Sequence, residues 1–256
     1  MAQIPCFVVN LATATQRREA MQRLLAQHGI APQWFDAVDG RTMSADDMRE
    51  HFAADIATRV YGPMSRSEIG CALSHLGVYR RMVDQNVPCA VVLEDDVLLA
   101  EDVVSLLDES AGLASVFCAK EPIMVQLTHV ERGYRVGAHT IGTRTIVLPH
   151  GGVWLASGYF ITLAAAKQMV EHAYPVCTVA DHWRYFEQAG LVRLYALTPN
   201  AVWESAHSQD SAIASERQPR VRAKRSVWDY LRRVWDRLVV RKLFVKKLPR
   251  YPAGKI

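Results

Sequence analysis

The sequence lacks the patterns that define several classes of protein. Its five cysteines include no C-x-x-C pair, and their odd number argues against a disulfide framework or a zinc cluster. No run of about 18 apolar residues occurs, so no membrane-spanning helix is predicted. The N-terminus has no charged segment followed by an apolar stretch, and we expect no secretory signal. These absences indicate a reducing compartment and a cytoplasmic location.

Charge is distributed unevenly along the 256 residues. Residues 1–216 contain 16 Lys and Arg and 24 Asp and Glu, a net charge of −8, whereas residues 217–256 contain 14 and 2, a net charge of +12. A basic segment on an acidic body indicates a polyanionic partner such as anionic lipid, nucleic acid or another acidic surface. The sequence therefore predicts a domain over residues 1–215 and a basic tail over residues 216–256.

Apolar strand patterns alternate with helical patterns, and no internal repeat is present. Residues 5–11 predict a buried strand, and residues 17–29 have helical spacing that ends at a glycine. Further strands are predicted at residues 122–128, 144–148 and 152–162. This order favours an α/β fold with a mixed, mostly parallel sheet flanked by helices. Ligands of such sheets bind at the carboxyl ends of the strands.

Three consecutive carboxylates interrupt an apolar run. Residues 91–99 read V-V-L-E-D-D-V-L-L, so Glu94, Asp95 and Asp96 lie in a predicted strand. Strand alternation would place Glu94 and Asp96 on one face and Asp95 on the other. Because like charges repel and burial is costly, we expect the cluster at a cleft that holds a cation, such as a divalent metal with a phosphate ligand. The alternative is a turn of solvated carboxylates that caps the next helix.

Two other polar positions have alternatives of the same kind. Arg17 and Arg18 follow the first strand and could bind an anion, or they could be the solvated first turn of a helix. Because adjacent helical residues point about 100° apart, only one of them would contact a ligand. Asp181 opens a predicted helix, where a carboxylate is held by capping bonds. On helix physics alone Asp181 is an N-cap. Ser67 is the predicted cap of the helix that precedes the acidic run.

Several separated segments together resemble one family. They are N-L-x-x-x-x-x-R-R at 10–18, A-V-D-G at 37–40, S-E-I-G-C-A-L-S-H-L at 67–76, L-E-D-D-V at 93–97 and V-A-D-H at 179–182. In this order, over residues 5 to about 213, the chain resembles glycosyltransferase family 25. That family includes bacterial lipooligosaccharide galactosyltransferases and related domains that glycosylate collagen hydroxylysine. The resemblance implies a GT-A-type nucleotide-binding fold, a UDP-sugar donor, a divalent metal (manganese, or magnesium) and inversion at the anomeric carbon.

The resemblance also implies roles for individual residues. Asp96 would ligate the metal, with Glu94 as a further ligand, and Glu94 and Asp95 would hold ribose or metal-bound water. Asp181 would be the catalytic base that accepts the proton of the attacking hydroxyl. The remaining donor-binding candidates are Asn10, Arg17, Arg18, Asp39, Gly40, Ser74 and His75.

Three histidines are candidates that also have alternative roles. For His75 the alternative is a structural histidine of the core, and for His182 it is a structural hydrogen bond instead of a metal or acceptor contact. His207 is a candidate late metal ligand, although the family commonly has Gln followed by Ser near this place, as in Gln209 and Ser211 here.

The basic tail has an amphipathic pattern. Over residues 226–248, Trp228, Leu231, Trp235, Leu238 and Val239 recur at helical spacing among arginines and lysines. This pattern predicts a helix on an anionic membrane surface. Packing on the domain is the alternative. Nucleic-acid binding is not expected, since no recognition motif accompanies the charge.

The predicted function is transfer of a hexose, most plausibly galactose, from a UDP-sugar to a lipid-linked lipooligosaccharide or lipopolysaccharide acceptor. The enzyme would be peripherally bound to the inner face of the cytoplasmic membrane. A protein hydroxylysine acceptor remains open. Two alternatives of other classes are a metal-dependent nucleotidyltransferase or phosphohydrolase and a non-catalytic binding module of the same fold.

Overall fold

A computed structural model describes residues 2–117, 119–137, 139–205 and 234–252. Its strands are β1 (Cys6–Asn10), β2 (Pro32–Asp36), β3 (Cys89–Glu94), β4 (Val97–Leu99), β5 (Ile123–Gln126), β6 (Arg132–Tyr134), β7 (His139–Ile141), β8 (Arg144–Val147), β9 (Gly158–Thr162), β10 (Arg193–Thr198), β11 (Val202–Glu204) and β12 (Val245–Lys247). The helices are α1 (Thr15–Gln27), α2 (Ala45–His51), α3 (Ala54–Val60), α4 (Arg66–Asp84), α5 (Val103–Leu106), α6 (Leu113–Val116), α7 (Leu163–His172), α8 (Trp183–Gln188) and α9 (Arg241–Leu243).

The central sheet has the order β2-β1-β3-β9-β5-β10-β8-β7 within the described residues. The pairs β1/β2, β1/β3 and β5/β10 are parallel, whereas β9 is antiparallel to both of its neighbours and β8 to both of its own. Six of these eight strands therefore run in one direction. The prediction of a mixed, mostly parallel sheet flanked by helices is confirmed.

Both faces of the sheet are buried. Alternate residues of one strand enter two separate hydrophobic cores: Val8 of β1 and Leu93 of β3 lie in one, and Phe7 and Val92 in the other. Strands covered on both faces read as continuous apolar runs, which is why β1 and β3 were visible in the sequence.

The long helix α4 begins with a reciprocal capping arrangement. Its N-cap is Ser65, whose side chain accepts from the Glu68 backbone N–H while the Glu68 carboxylate accepts from the Ser65 N–H. This arrangement satisfies the backbone N–H groups of both Ser65 and Glu68 at the start of the helix. The N-cap is therefore Ser65 and not the predicted Ser67. The helix then runs for 19 residues and ends before β3.

The acidic run is not one strand. β3 ends at Glu94, Asp95 and Asp96 form a turn, and β4 begins at Val97. The strand alternation expected for the three carboxylates is therefore wrong, since the turn lets Asp95 and Asp96 both pair with the Arg17 guanidinium. The predicted strand at 152–162 is likewise limited to its second half, β9.

The tail was predicted as one helix over 226–248, of which residues 226–233 lie outside the described residues. A π-helical segment (Asp236–Val240) leads into α9, and the chain then turns into β12, which pairs with β6. Val245 and Leu248 are buried against the domain. The single long helix is therefore wrong at its end, where these apolar side chains are buried and the backbone pairs with β6.

No helix in the described ranges is both long enough and apolar enough to span a bilayer. The division of the chain at residue 216 stays a prediction.

Candidate functional site

A cleft of about 490 Å³ opens at the carboxyl ends of β1 and β3. The two strands are parallel neighbours with Val9 opposite Glu94, so Asn10 and the acidic turn meet at one edge of the sheet. Candidates from five separate segments line it: Asn10, Arg17, Asp39, Gly40, Ser74, Glu94, Asp95, Asp96 and Asp181. The fold thus brings together most of the residues singled out from the sequence.

Arg17 is the positive charge beside the acidic turn. Its terminal Nη2 lies 2.5 Å from Asp95 Oδ1 and 2.8 Å from Asp96 Oδ2. Asp95 also accepts a hydrogen bond of 2.5 Å from the amide nitrogen of Asn10. Both aspartate side chains are about nine-tenths buried, whereas the Arg17 side chain is 42% exposed. The guanidinium therefore bridges the two carboxylates from the solvent side.

One arginine does not neutralise this group of carboxylates. Burial, followed by the charge of nearby Glu94, raises the pKa of Asp96 from 3.8 to about 6 even though Arg17 lowers it. Burial also raises the pKa of Asp95 against the opposing effects of Asn10 and Arg17. The turn therefore has an unmet demand for positive charge near neutral pH.

The donors at the turn fit a hard divalent cation. Asp95 and Asp96 supply carboxylate oxygens, and the amide oxygen of Asn10 is buried without a hydrogen-bond partner. Mg²⁺ and Mn²⁺ prefer such oxygen ligands. An unpartnered buried oxygen next to two carboxylates of raised pKa is what a cation would satisfy.

Glu94 faces a different set of groups. Its Oε1 lies 3.4 Å from His75 Nε2 and 3.9 Å from Cys71 Sγ, and the three ligand atoms lie within 4.8 Å of one another. Burial, then the charges of Glu94 and Asp181, raise the pKa of the Cys71 thiol. A thiol, an imidazole and a carboxylate suit zinc better than magnesium, and Glu94 thus lies between this group and the Asp95 and Asp96 pair, whose pKa values are raised by its charge.

His75 is held by a buried hydroxyl chain. Its Nδ1 lies 2.7 Å from the Tyr159 hydroxyl, which lies 2.7 Å from the Tyr79 hydroxyl. All three residues are fully buried, and burial raises the pKa of both tyrosines. His75 thus has the hydrogen bonds of a core histidine while Nε2 reaches toward Glu94 at the cleft.

The loop of residues 37–41 forms another wall. Ser74 receives the Val38 backbone N–H at 2.9 Å and donates to the Gly70 carbonyl at 2.7 Å. A Cβ on Gly40 would lie 1.8 Å from the Arg66 carbonyl oxygen, and a Cβ on Gly70 would lie 2.5 Å from the Gly40 nitrogen. Gly40 and Ser74 therefore hold the loop on α4.

Asp39 and Arg41 form a local pair on this loop. Arg41 Nε and Nη2 donate to the two oxygens of Asp39 at 2.8 and 2.7 Å, and these bonds lower the pKa of Asp39. Asp39 thus shapes the rim of the cleft together with Arg41.

Asp181 lines the same cleft from a further segment of the chain. Its Oδ2 accepts the backbone N–H of Leu155 at 3.2 Å. The N-cap position of α8 belongs to His182, which makes no side-chain capping bond. Asp181 is therefore held from another segment of the chain, 26 residues away, and the N-cap lies one residue later than expected.

Arg18 is a candidate that does not line the cleft. Arg18 packs over the Trp34 ring at 4.5 Å and pairs with Asp36 at 3.2 Å, away from the cleft lining. Of these two adjacent arginines, Arg17 faces the acidic turn and Arg18 does not. His207, with Gln209 and Ser211, lies outside the described residues.

The sequence analysis missed several residues of the site. Cys71 lies one helical turn before His75, and that i, i+4 spacing was a usable signal. Glu204 lines the cleft and its charge raises the pKa of Asp96, yet nothing in the local pattern marks it, since β11 brings it there through long-range pairing with β4. Trp154 stacks on His182, the residue after Asp181, and this contact between distant segments is also not marked by the local pattern.

The fold and the cleft define a mixed α/β protein with an acidic site at its strand ends. Residues 3–183 match the family model described as "Glycosyltransferase family 25 (LPS biosynthesis protein)". The chain belongs to glycosyltransferase family 25.

Curated relatives extend the comparison. The lacto-N-neotetraose biosynthesis glycosyltransferase LgtB of Neisseria meningitidis is 30% identical over 62% of this chain and 58% of its own length. Procollagen galactosyltransferase 1-A of Xenopus laevis is 25% identical over 92% of this chain and 41% of its own length. The inactive glycosyltransferase 25 family member 3 of Mus musculus is 36% identical over 36% of this chain and 16% of its own length. The chain thus spans between 16% and 58% of these relatives.

Proposed function

We propose that the chain is an inverting glycosyltransferase that moves a hexose, most simply galactose, from a UDP donor to a saccharide acceptor. The main observation in support is that one cleft is lined both by Asp95 and Asp96 at the strand ends and by Asp181 from a separate segment. Family membership and the two relatives named as a lacto-N-neotetraose glycosyltransferase and a galactosyltransferase support the choice of reaction.

The donor half of the cleft is the acidic turn and its neighbours. Asp96, with Asp95 or Glu94, would hold the divalent metal, which when bound supplies Lewis-acid neutralisation of the departing diphosphate. Arg17 is half-exposed and already aimed at the turn, so its guanidinium can bind a diphosphate oxygen. Asn10 orients Asp95, and the loop at Asp39 and Gly40 lies against the nucleoside.

The acceptor half is built around Asp181. The hydroxyl oxygen of the acceptor forms a bond to the anomeric carbon while the bond from that carbon to the diphosphate oxygen breaks. The hydroxyl proton passes to the Asp181 carboxylate, and UDP leaves with the electron pair. The Leu155 N–H holds the carboxylate from which this proton transfer is proposed.

Product analysis tests this proposal. Purified protein is incubated with Mn²⁺, a panel of UDP-hexoses and lipooligosaccharide-derived acceptors, and the products are separated. UDP and an extended saccharide are expected. UMP with a sugar phosphate would instead establish a nucleotidyltransferase or phosphohydrolase, and UDP binding with no turnover of any pair would establish a non-catalytic member.

The Asp181→Asn variant tests the base. Transfer should fall at least a hundredfold, which is the usual contribution of a positioned base, while UDP affinity stays within about twofold. Asp84→Asn, at the exposed end of α4, is the matched control and should transfer like wild type. Normal transfer by Asp181→Asn would refute the assignment of the base.

We also propose that the tail contacts an anionic membrane on which a lipid-linked acceptor is presented. Trp235, Leu238, Leu243 and Phe244 are each at least half exposed. Exposed Arg237, Arg241, Lys242, Lys246 and Lys247 accompany them. Large apolar side chains among basic ones match the pattern of a helix that lies in a lipid interface.

Vesicle sedimentation tests the membrane contact. The protein should bind phosphatidylglycerol vesicles at low salt, less at high salt, and little to phosphatidylcholine. The double variant Trp235→Ala with Leu238→Ala should bind less while retaining transfer to a soluble acceptor. Equal binding by the double variant would contradict the proposal. Point variants are preferable to truncation, because the buried Val245 and Leu248 would be lost with the tail.

A further inference from the structure

A stack of aromatic rings lies beside Asp181 and is not used by the reaction as described above. Trp154 packs on His182 with ring centroids 5.6 Å apart and planes 10° apart. On its other side His182 packs on Tyr185 at 5.5 Å and 23°. His182 is further held by the Thr178 hydroxyl, 2.7 Å from Nδ1. The histidine is thus the middle layer of a three-ring stack.

The outer ring of this stack is open to solvent. Trp154 is 45% exposed, although tryptophan is among the side chains that gain most from burial. One face is covered by His182, and its indole nitrogen edge lies against Gly152, where an added Cβ would come within 2.5 Å. The remaining surface is a flat apolar face that nothing in the described part of the chain uses.

The backbone under Trp154 is fixed by buried groups. The fully buried Gln126 amide donates to the Trp154 carbonyl at 3.1 Å and to the Leu155 carbonyl at 3.0 Å, and the buried Trp183 indole donates to the Leu155 carbonyl at 3.0 Å. Leu155 has a φ of 76°, a left-handed conformation that a leucine rarely adopts. Such strain persists only where surrounding contacts enforce it, and it clusters at functional sites.

The same segment holds Asp181. The Leu155 N–H that donates to the carboxylate belongs to the residue directly after Trp154, and His182 directly follows Asp181. The segment of Trp154 and Leu155 therefore contacts the segment of Asp181 and His182 at both pairs, through the stacked rings and through the hydrogen bond. The geometry couples the position of the exposed indole to that of Asp181.

We propose that Trp154, backed by His182 and Tyr185, is the platform on which a pyranose ring of the acceptor stacks while its hydroxyl faces Asp181. The inference rests on the proposed function. The C–H bonds on one face of a pyranose pack well on an indole, whose face carries partial negative charge. Arg17 and the metal that the acidic turn would hold suit the charged diphosphate of the donor, whereas the uncharged indole suits the neutral acceptor sugar.

Saccharide binding without turnover is the direct test. Saturation-transfer NMR is recorded on the protein with UDP, Mn²⁺ and a panel of methyl glycosides: β-galactoside, β-glucoside and N-acetyl-β-glucosaminide. Signal is expected on the ring C–H protons of at least one glycoside with wild type and with Trp154→Phe, and about tenfold weaker affinity with Trp154→Ala. Val136→Ala, which alters another exposed apolar side chain between β6 and β7, should behave like wild type.

Several outcomes would overturn the platform. They are no glycoside signal with wild type, an unchanged signal with Trp154→Ala, or a fall in UDP affinity equal to the fall in glycoside affinity, which would assign the indole to the nucleobase. Gly152→Ala displaces the indole without deleting it and should weaken glycoside binding as well. If wild type performs transfer, Trp154→Ala should raise the acceptor KM about tenfold and leave the donor KM unchanged.

The two proposals can fail separately. Absence of any transfer product with every donor and acceptor would sink the proposed function, whereas the NMR experiment reads the platform from binding alone. Transfer that proceeds in Trp154→Ala with a wild-type acceptor KM would sink the platform and leave the proposed function standing.

Discussion

Replacing Asp96 by asparagine should stabilise the metal-free protein while it removes activity. The pKa of Asp96 is raised from its ordinary value of 3.8 to about 6 by burial and by Glu94. Below pH 3.8 the carboxyl is protonated in both the folded and the unfolded state and contributes nothing. Above pH 6 it is ionised in both, and the folded state carries the cost of an unfavourable buried charge.

The size of the effect follows from that pKa. The difference between 3.8 and about 6 corresponds to roughly 3 kcal/mol. Local relaxation reduces this figure, so we expect Asp96→Asn to raise the free energy of unfolding by about 1–3 kcal/mol at pH 8. The advantage should shrink as the pH falls from 6 to 4. Arg17 keeps Asp95 as a partner in the variant, so no new unpaired charge is created.

Urea unfolding at pH 8 and pH 4, in EDTA, measures the difference. A variant that is less stable than wild type at pH 8, or a stability difference independent of pH, would refute the reasoning. Adding Mn²⁺ gives a second arm: wild type should gain about 2.7 kcal/mol at a concentration a hundredfold above the dissociation constant, and the variant much less. Surface Asp84→Asn should show neither effect.

Two further predictions concern the frame around the cleft. Gly70→Ala places a Cβ 2.5 Å from the Gly40 nitrogen and the Val38 carbonyl oxygen. It should lower the free energy of unfolding by about 1–3 kcal/mol in urea and weaken UDP binding in calorimetry. Undiminished UDP affinity would show that the loop does not contact the nucleotide. Arg144 is buried and donates to Asp102 and to two backbone carbonyls. Arg144→Met should therefore lower the free energy of unfolding in urea by about 3 kcal/mol. A decrease of less than about 1 kcal/mol would contradict a stabilising role for these hydrogen bonds.

The elements that the sequence predicted are those whose pattern is local. β1 and β3 are covered on both faces and read as apolar runs, and α1 and α4 carry helical spacing with clear ends. β10 was not predicted, although it lies within the central sheet, since it has no distinct boundary signal after the preceding glycine. Its place between β5 and β8 depends on pairing across more than 40 residues.

The site was predictable in its members but not in its geometry. The motif segments identified Asn10, Arg17 and the acidic turn, which the parallel pairing of β1 and β3 brings together. The sequence could not show that Asp95 and Asp96 share one arginine while Glu94 faces Cys71, because that depends on where β3 stops. It also could not show what holds Asp181, since Leu155 reaches it through tertiary packing.

Calorimetric titration with UDP tests the central claim most directly. The wild-type protein is titrated with UDP in Mn²⁺ and again in EDTA, and both titrations are repeated on Asp96→Ala. The account predicts binding to wild type in Mn²⁺ that is lost in EDTA and lost in the variant, with the variant shown to be folded by circular dichroism. Binding of equal strength in all four titrations, or none by folded wild-type protein in Mn²⁺, would contradict a metal-assisted UDP site at the acidic turn.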